Sequence, residues 1–209
     1  MAGFYRRYIL PPLLDRAMRD RRIARYRTPL LARSEGRVLE IGFGTGVNLR
    51  HYPPSLETLD IVEPDAALNA RAAQRIAAQS RAVRVHALSA ERLPFDSSSF
   101  DTVVSTFTLC SIPDVARALQ EVHRVLTPGG ALLFLEHGLA PDESIARWQR
   151  RLTPLQKRIG GGCHLDRPIR PLIEQAGLQI EAGDCEADYA PKLPRIVAWL
   201  TRGVARKCC

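Results

Sequence analysis

The chain has 209 residues, 45% hydrophobic and 25% charged, which suits one well-filled domain and excludes a disordered or fibrous chain. The formal charge is +8, but ten Arg face three acids between Met1 and Arg37, a net of +7, and the remainder is near neutral. Five cysteines without a CxxC spacing argue against a disulfide framework and for a reducing compartment. No apolar run approaches the roughly 20 residues that span a bilayer. Arg6, Arg7 and Pro11-Pro12 interrupt the apolar stretch Tyr8–Leu14, as a signal peptide would not allow. A cytoplasmic protein is expected.

Residues 1–36 read as an Arg-rich helical extension, broken at Pro11-Pro12 and Pro29. Leu13, Leu14, Ala17 and Met18 share one face, and Arg16, Arg19, Arg21 and Arg22 the other. From residue 37 the pattern changes to strand, glycine turn and helix: Arg37–Ile41, then Gly42-Phe43-Gly44-Thr45-Gly46, then helix-compatible Val47–Arg50. Leu56–Val62 is a second strand, and Asp65 suits the positive N-terminal end of the helix expected over Ala66–Gln79. Val83–Ala87 and Phe100–Ser105 are further strands, the latter a continuous apolar run fit for a sheet covered on both faces. Pro113–Leu126 fits a helix, and Thr127-Pro128-Gly129-Gly130 turns the chain into the strand Ala131–Leu135. Helices are expected over Ile145–Ile159, interrupted near Pro154, and over Pro168–Ala176, ended by Gly177. Leu178–Cys185 and Ile196–Thr201 complete seven strands. This alternation predicts an α/β fold, a Rossmann-like doubly wound and mostly parallel sheet. Residues 37–137 form its cofactor-binding half and 138–209 its substrate side.

The spacing Glu40-x-Gly42-x-Gly44-x-Gly46 carries the chemistry. A glycine turn between strand and helix lets backbone N–H groups approach a ligand closely. The third glycine comes one place too early for the dinucleotide fingerprint. An acid two residues before the turn would repel a pyrophosphate, but it suits a cofactor with a sulfonium and an ammonium, such as S-adenosyl-L-methionine (SAM). Glu63, closing the second strand, is placed to accept both hydroxyls of a ribose.

Two later segments, Ser89–Phe95 with Ser99-Phe100-Asp101 and Arg124–Gly130, resemble those of class I SAM-dependent methyltransferases in the same order. Their fold is implied for this chain, with SAM as cofactor and S-adenosyl-L-homocysteine as product. At matching positions the resemblance implies a methionine side lined by Glu40, Gly42, Gly44, Gly46 and Asn48, and a ribose site at Glu63 and Pro64. It also implies an adenine edge along Ala90 and Glu91, and a floor at Ser105, Thr106 and Phe107. Ser89 replaces an Asp that many relatives use on the adenine amino group. The segments Leu39–Asn48, Thr108–Ser111, Glu136-His137 and Gly162–Leu165 further resemble the methyltransferase-like thiol S-methyltransferases of animal membranes, which implies a small thiol acceptor.

A thiol with a pKa near 8.5 is only a few per cent ionised at neutral pH, so a base or a cation beside the acceptor is expected. His137, at the carboxyl edge of the sheet, and His164 are the candidates, and Cys110 and Phe107 are candidates for the acceptor pocket. Cys163 and His164 are adjacent, poor spacing for zinc, so no metal is expected. Methylation of another small or lipid-like acceptor (amine, phenol or quinone) and SAM binding without turnover are the alternatives. A nucleic-acid methyltransferase is disfavoured: the place of its D/N-P-P-aromatic motif reads Ser105-Thr106-Phe107-Thr108, and the Pro-Cys pair of cytosine-ring enzymes is absent. The expected partner is therefore a small-molecule acceptor, without nucleic acid or an obligate protein partner. The Arg-rich start is expected to form a solvated face, a lid over the cleft, or a weak peripheral contact with the inner membrane surface, with Cys208-Cys209 a solvated tail.

Overall fold

The N-terminal segment folds as helix and lies against the sheet. In this computed structural model, which describes residues 2–208, α1 (Ala2–Phe4) passes through a π-helical stretch, Tyr5–Ile9, into α2 (Leu10–Met18), followed by α3 (Arg21–Leu31). The prolines do not break these helices as the sequence suggests. Pro11 and Pro12 follow directly on the π-helical stretch in the first turn of α2, and α3 continues through Pro29; each Pro removes one N–H from the helix without ending it. The break falls at Asp20, whose carboxylate accepts from the Arg22 N–H at 2.8 Å and caps α3.

The body alternates strand and helix: β1 (Val38–Ile41), β2 (Thr58–Val62), α4 (Ala66–Ala77), β3 (Ala82–His86), β4 (Phe100–Thr106), α5 (Val115–Val125) and β5 (Leu126–His137). Then follow α6 (Glu143–Ile159), α7 (Ile169–Gln175), β6 (Leu178–Gln179), β7 (Cys185–Tyr189), α8 (Arg195–Ala198) and β8 (Trp199–Lys207). Strand order is β3-β2-β1-β4-β5-β8-β6, and β7 also pairs with β8. The first five strands are parallel and β8 runs antiparallel to β5. The sheet has eight strands rather than seven, because a turn with Gly183 at φ +90° separates β6 from β7. The last strand begins and ends later than expected, and α6 runs unbroken through Pro154.

Alternate side chains of the central strands feed two cores. Leu39, Val103, Leu132 and Phe134 pack under α5 and α7; Val38, Val104, Leu133 and Leu135 pack with Tyr26, Leu30 and Leu31 of α3. Covering both faces leaves the carboxyl edge of the parallel strands as the place where loops can build a site. Among the described residues no helix is long and apolar enough to cross a membrane.

Candidate active site

One cavity of about 900 Å³ opens at that edge. Its walls come from the glycine turn after β1, the end of β2, the loops after β3 and β4, the last residue of β5, the loop after α6, and the inner face of α2 and α3. Leu10, Leu14, Ala17 and Met18 of α2 line it, whereas Leu13 points to solvent. Asp15 ties this helix down: it accepts from the Thr45 hydroxyl at 2.7 Å and from Arg75 at 2.6 and 3.0 Å.

Each glycine of the turn has its own reason. A Cβ on Gly42 would lie 2.1 Å from the Thr108 side chain, so this glycine lets the loop after β4 close on the turn. A Cβ on Gly44 (φ +59°) would stand in the cavity, with only the Gly42 carbonyl near it at 3.9 Å. Gly46 packs behind, against Phe43, and does not line the cavity.

Glu63 is buried, and each carboxylate oxygen accepts one backbone N–H: Gly44 at 2.8 Å and Asp65 at 2.9 Å. Burial raises its pKa, opposed by these two bonds. Asp65 caps α4 by accepting from the Ala67 and Leu68 N–H groups, as the sequence suggests. Glu40 stands one layer behind the cavity wall rather than in it. It accepts from the Asn48 amide at 2.8 Å and from the Tyr52 hydroxyl at 2.6 Å, and burial pushes its pKa up to about 7. Asn48 does reach the cavity; its Nδ2 also donates to Thr106 Oγ1 at 2.9 Å, and its Oδ1 is buried without a partner.

Pro64, Ser89, Ala90, Thr106 and Phe107 line the cavity, while Glu91 turns away to accept from the Asp114 N–H and the Ser89 hydroxyl. Cys110, His137 and Cys163 line the same cavity. His137 Nε2 lies 2.8 Å from Cys163 Sγ. Burial works against charge on His137, but the Cys110 sulfur beside it raises its pKa above the ordinary imidazole value. The Cys163 sulfur, aided by His137, holds Cys110 well below the ordinary thiol range, and the same contact, with burial, pushes Cys163 up. His164 is not in this wall. Its N–H donates to the Cys110 carbonyl at 2.7 Å and its Nδ1 lies 3.1 Å from the same oxygen, so it clamps two loops together.

Arg27 is a site residue that sequence reasoning passed over. It is 2% exposed, lines the cavity, donates to the Met18 carbonyl and lies with its guanidinium 5.4 Å from the Phe107 ring centre, while Nε has no partner. Burial lowers its pKa to about 10, so it remains a cation at neutral pH. The signal lay in the Ile23, Arg27, Leu30 and Leu31 spacing, which puts an arginine on the apolar stripe of α3. Cys208 is exposed, and Cys209 lies outside the described residues.

Residues 39–134 match the family model described as a methyltransferase domain. The chain is 40% identical over 149 residues to a thiol S-methyltransferase TMT1B of Rattus norvegicus, covering 68% of this chain and 60% of that protein. It therefore spans less than two thirds of that relative's length. It is 34% identical over 194 residues to a demethylmenaquinone methyltransferase of Roseiflexus castenholzii, covering 84% of this chain and 77% of that protein. Among solved structures, a SAM-dependent methyltransferase of Thermotoga maritima superposes with a TM-score of 0.69 at 21% identity, covering 98% of both chains.

Proposed function

The chain belongs to the class I SAM-dependent methyltransferases, and from this premise we propose that it binds SAM in the cavity at the sheet edge and transfers the methyl group to the sulfur of a small thiol. The observation that carries the reading is that one cavity joins a cradle for an adenosyl cofactor to a wall of two sulfurs and an imidazole.

The residues present fit SAM. Two N–H donors occupy Glu63; a carboxylate has about four acceptor positions, so two remain for the ribose hydroxyls. The unpartnered Asn48 Oδ1 can accept from the methionine ammonium, and the free Arg27 Nε can donate to its carboxylate. Gly44 leaves room for the cofactor where any side chain would stand.

When bound, SAM supplies an activated methyl group on a sulfonium that leaves as a neutral thioether. The protein's share is alignment and exclusion of water, which together can supply roughly 7–11 kcal/mol. The α2 face and Phe107 line the cavity, and the Asp15 bonds hold α2 to the glycine turn and to Arg75. Cys110, His137 and Cys163 line the part of the cavity where the acceptor sulfur would sit.

The test is product analysis with methyl-labelled SAM and equal panels of alkyl thiols, amines, phenols and quinols. A labelled methyl sulfide with one S-adenosyl-L-homocysteine per turnover supports the reading. Label found only in a quinol or phenol would move the chain to the chemistry named for its Roseiflexus relative, and no label in any acceptor would remove thiol methylation.

A further inference from the structure

Cys110, His137 and Cys163 come from three separate segments: the loop after β4, the last residue of β5, and the loop after α6. Their ligand atoms all lie within 4.8 Å of one another, and no fourth Cys, His, Asp or Glu joins the group among the described residues. Sequence spacing hides this set, because the partners lie 27 and 26 residues apart and the adjacent His164 faces elsewhere. From this geometry we infer that Cys110, His137 and Cys163 bind one zinc-class divalent cation and leave a coordination position open to the acceptor cavity, a role that rests on the thiol reading above.

Four observations support the site. Two sulfurs and one imidazole are a donor set for a soft or borderline cation, and three protein ligands with one open position mark a reactive rather than a structural zinc centre. Charge balances: two thiolates and a neutral imidazole neutralise a dication, and neutrality suits a wall this buried. The segments that carry the ligands are tied together before any ion arrives, while the outer ring nitrogen of His137, Nδ1, is buried without a partner. Glu136 accepts from Ser105 Oγ and from the Thr108 and Leu109 N–H groups at 2.8–3.1 Å, Arg167 donates to the Leu109 carbonyl, and the His164 N–H donates to the Cys110 carbonyl. Gly162 lets the two loops meet, since a Cβ there would lie 3.0 Å from the Ser111 carbonyl. Finally, the set faces the cavity that also contains the glycine turn.

Zinc bonds of about 2.3 Å to sulfur and 2.0–2.1 Å to nitrogen place tetrahedral ligands roughly 3.5 Å apart. The present contact of 2.8 Å between His137 Nε2 and Cys163 Sγ therefore opens by about 0.7 Å on binding, within reach of a small ring rotation. The acceptor thiol would then enter the open position as thiolate and release its proton to water. Its sulfur takes the methyl group, the sulfonium keeps the electron pair of the broken bond, and the neutral sulfide departs as a weaker ligand. His137 acts in this scheme as a ligand and not as a proton acceptor.

The test is an anaerobic cobalt(II) titration of the full chain after phosphine reduction and chelator dialysis. One equivalent should give tetrahedral visible bands and a sulfur-to-cobalt charge-transfer band, both erased by zinc. Cys163→Ser and Cys110→Ser should each lose the charge-transfer intensity while keeping the wild-type circular dichroism and S-adenosyl-L-homocysteine binding; Cys208→Ser should match wild type. Adding 2-mercaptoethanol should shift the visible bands. Absence of cobalt bands in the folded reduced protein, bands unchanged in Cys163→Ser, or bands indifferent to added thiol would each overturn the inference. Methyl transfer measured on the same preparations separates the two readings. Thiol methylation at full rate in metal-free protein refutes the metal and leaves the function, whereas a cobalt site without thiol methylation refutes the function alone.

Discussion

Glu63→Ala tests the cofactor site most directly. The carboxylate already holds the Gly44 and Asp65 N–H groups at 2.8 and 2.9 Å, so the ribose would add two hydrogen bonds to a charged acceptor. At about 1.5–3 kcal/mol each, their loss amounts to roughly 3–6 kcal/mol, and water entering the truncated site recovers part of it. The expected result is S-adenosyl-L-homocysteine binding weakened about 100-fold or more, since each 1.4 kcal/mol is about tenfold in Kd. Titration calorimetry reads this directly. Glu63→Gln serves as companion: its oxygen still accepts from Gly44, so the turn keeps its shape while one hydroxyl loses its acceptor, and a loss of about tenfold is expected. Burial raises the Glu63 pKa, so wild-type affinity should fall towards acid as the carboxylate takes up its proton, and the Gln variant should lack that fall. A folded Glu63→Ala protein that binds within about threefold of wild type would refute the placement of the ribose. Stabilisation by NAD, and not by S-adenosyl-L-homocysteine, would refute the cofactor as well.

Asp15→Asn weakens the bonds from α2 to Arg75 and Thr45; S-adenosyl-L-homocysteine should dissociate about tenfold faster in stopped-flow fluorescence for roughly 1.5 kcal/mol lost, and an unchanged rate would remove α2 as a lid. Burial raises Glu40 from 4.5 to about 7, so the folded state keeps a proton that the unfolded chain releases; this contribution is complete below pH 4.5 and disappears as pH rises through about 7. Tm should fall across that window in wild type and less in Glu40→Gln, and parallel curves would contradict the buried-carboxylate reading. Arg27→Met should weaken S-adenosyl-L-homocysteine about tenfold or more but spare methylthioadenosine, which lacks the amino-acid end; equal losses would mean that Arg27 acts on the lid and not on the carboxylate. Phe4, Tyr8, Leu155 and Ile159 are exposed beside Arg6, Arg7 and Arg158, and Tyr5 Oη donates to the Ile159 carbonyl at 2.7 Å. Vesicles rich in phosphatidylglycerol should therefore sediment the protein at low salt, and Phe4→Ser with Tyr8→Ser should abolish this; no sedimentation of wild type would confine the patch to a solvated face.

The strand, glycine turn and helix pattern of residues 37–137 is legible because its signals are local. Glycine spacing, an acid at a strand end and Asp65 before a helix each lie within a few residues of what they do, and the parallel core shows as continuous apolar runs. The breaks in this legibility have physical causes. Proline suggests a helix break, yet the helical run continues from the π-helical stretch Tyr5–Ile9 through Pro11 and Pro12. The Leu178–Cys185 run suggests one strand, although Gly183 at φ +90° turns it away from the ladder. Glu40 and Glu63 look alike in sequence, but only Glu63 faces the cavity; Asn48 and Tyr52 close over Glu40 from the turn that follows. The Cys110, His137 and Cys163 cluster depends on three loops meeting, and no spacing along the chain encodes that distance.

The N-terminal charge divides between exposed arginines and a buried one in the same helical segment. Arg6, Arg7, Arg16, Arg19 and Arg21 remain at the surface, where each acts as a solvated cation that salt screens. Arg27 lies across from them on the inner stripe and is the buried one. Moving a guanidinium out of water costs several kcal/mol, and the fold offsets only part of this through the Met18 carbonyl and the Phe107 ring. An anion arriving in the cavity would complete the balance. The segment therefore sets one buried cation in the cavity wall and bonds it, through the Met18 carbonyl, to the end of α2.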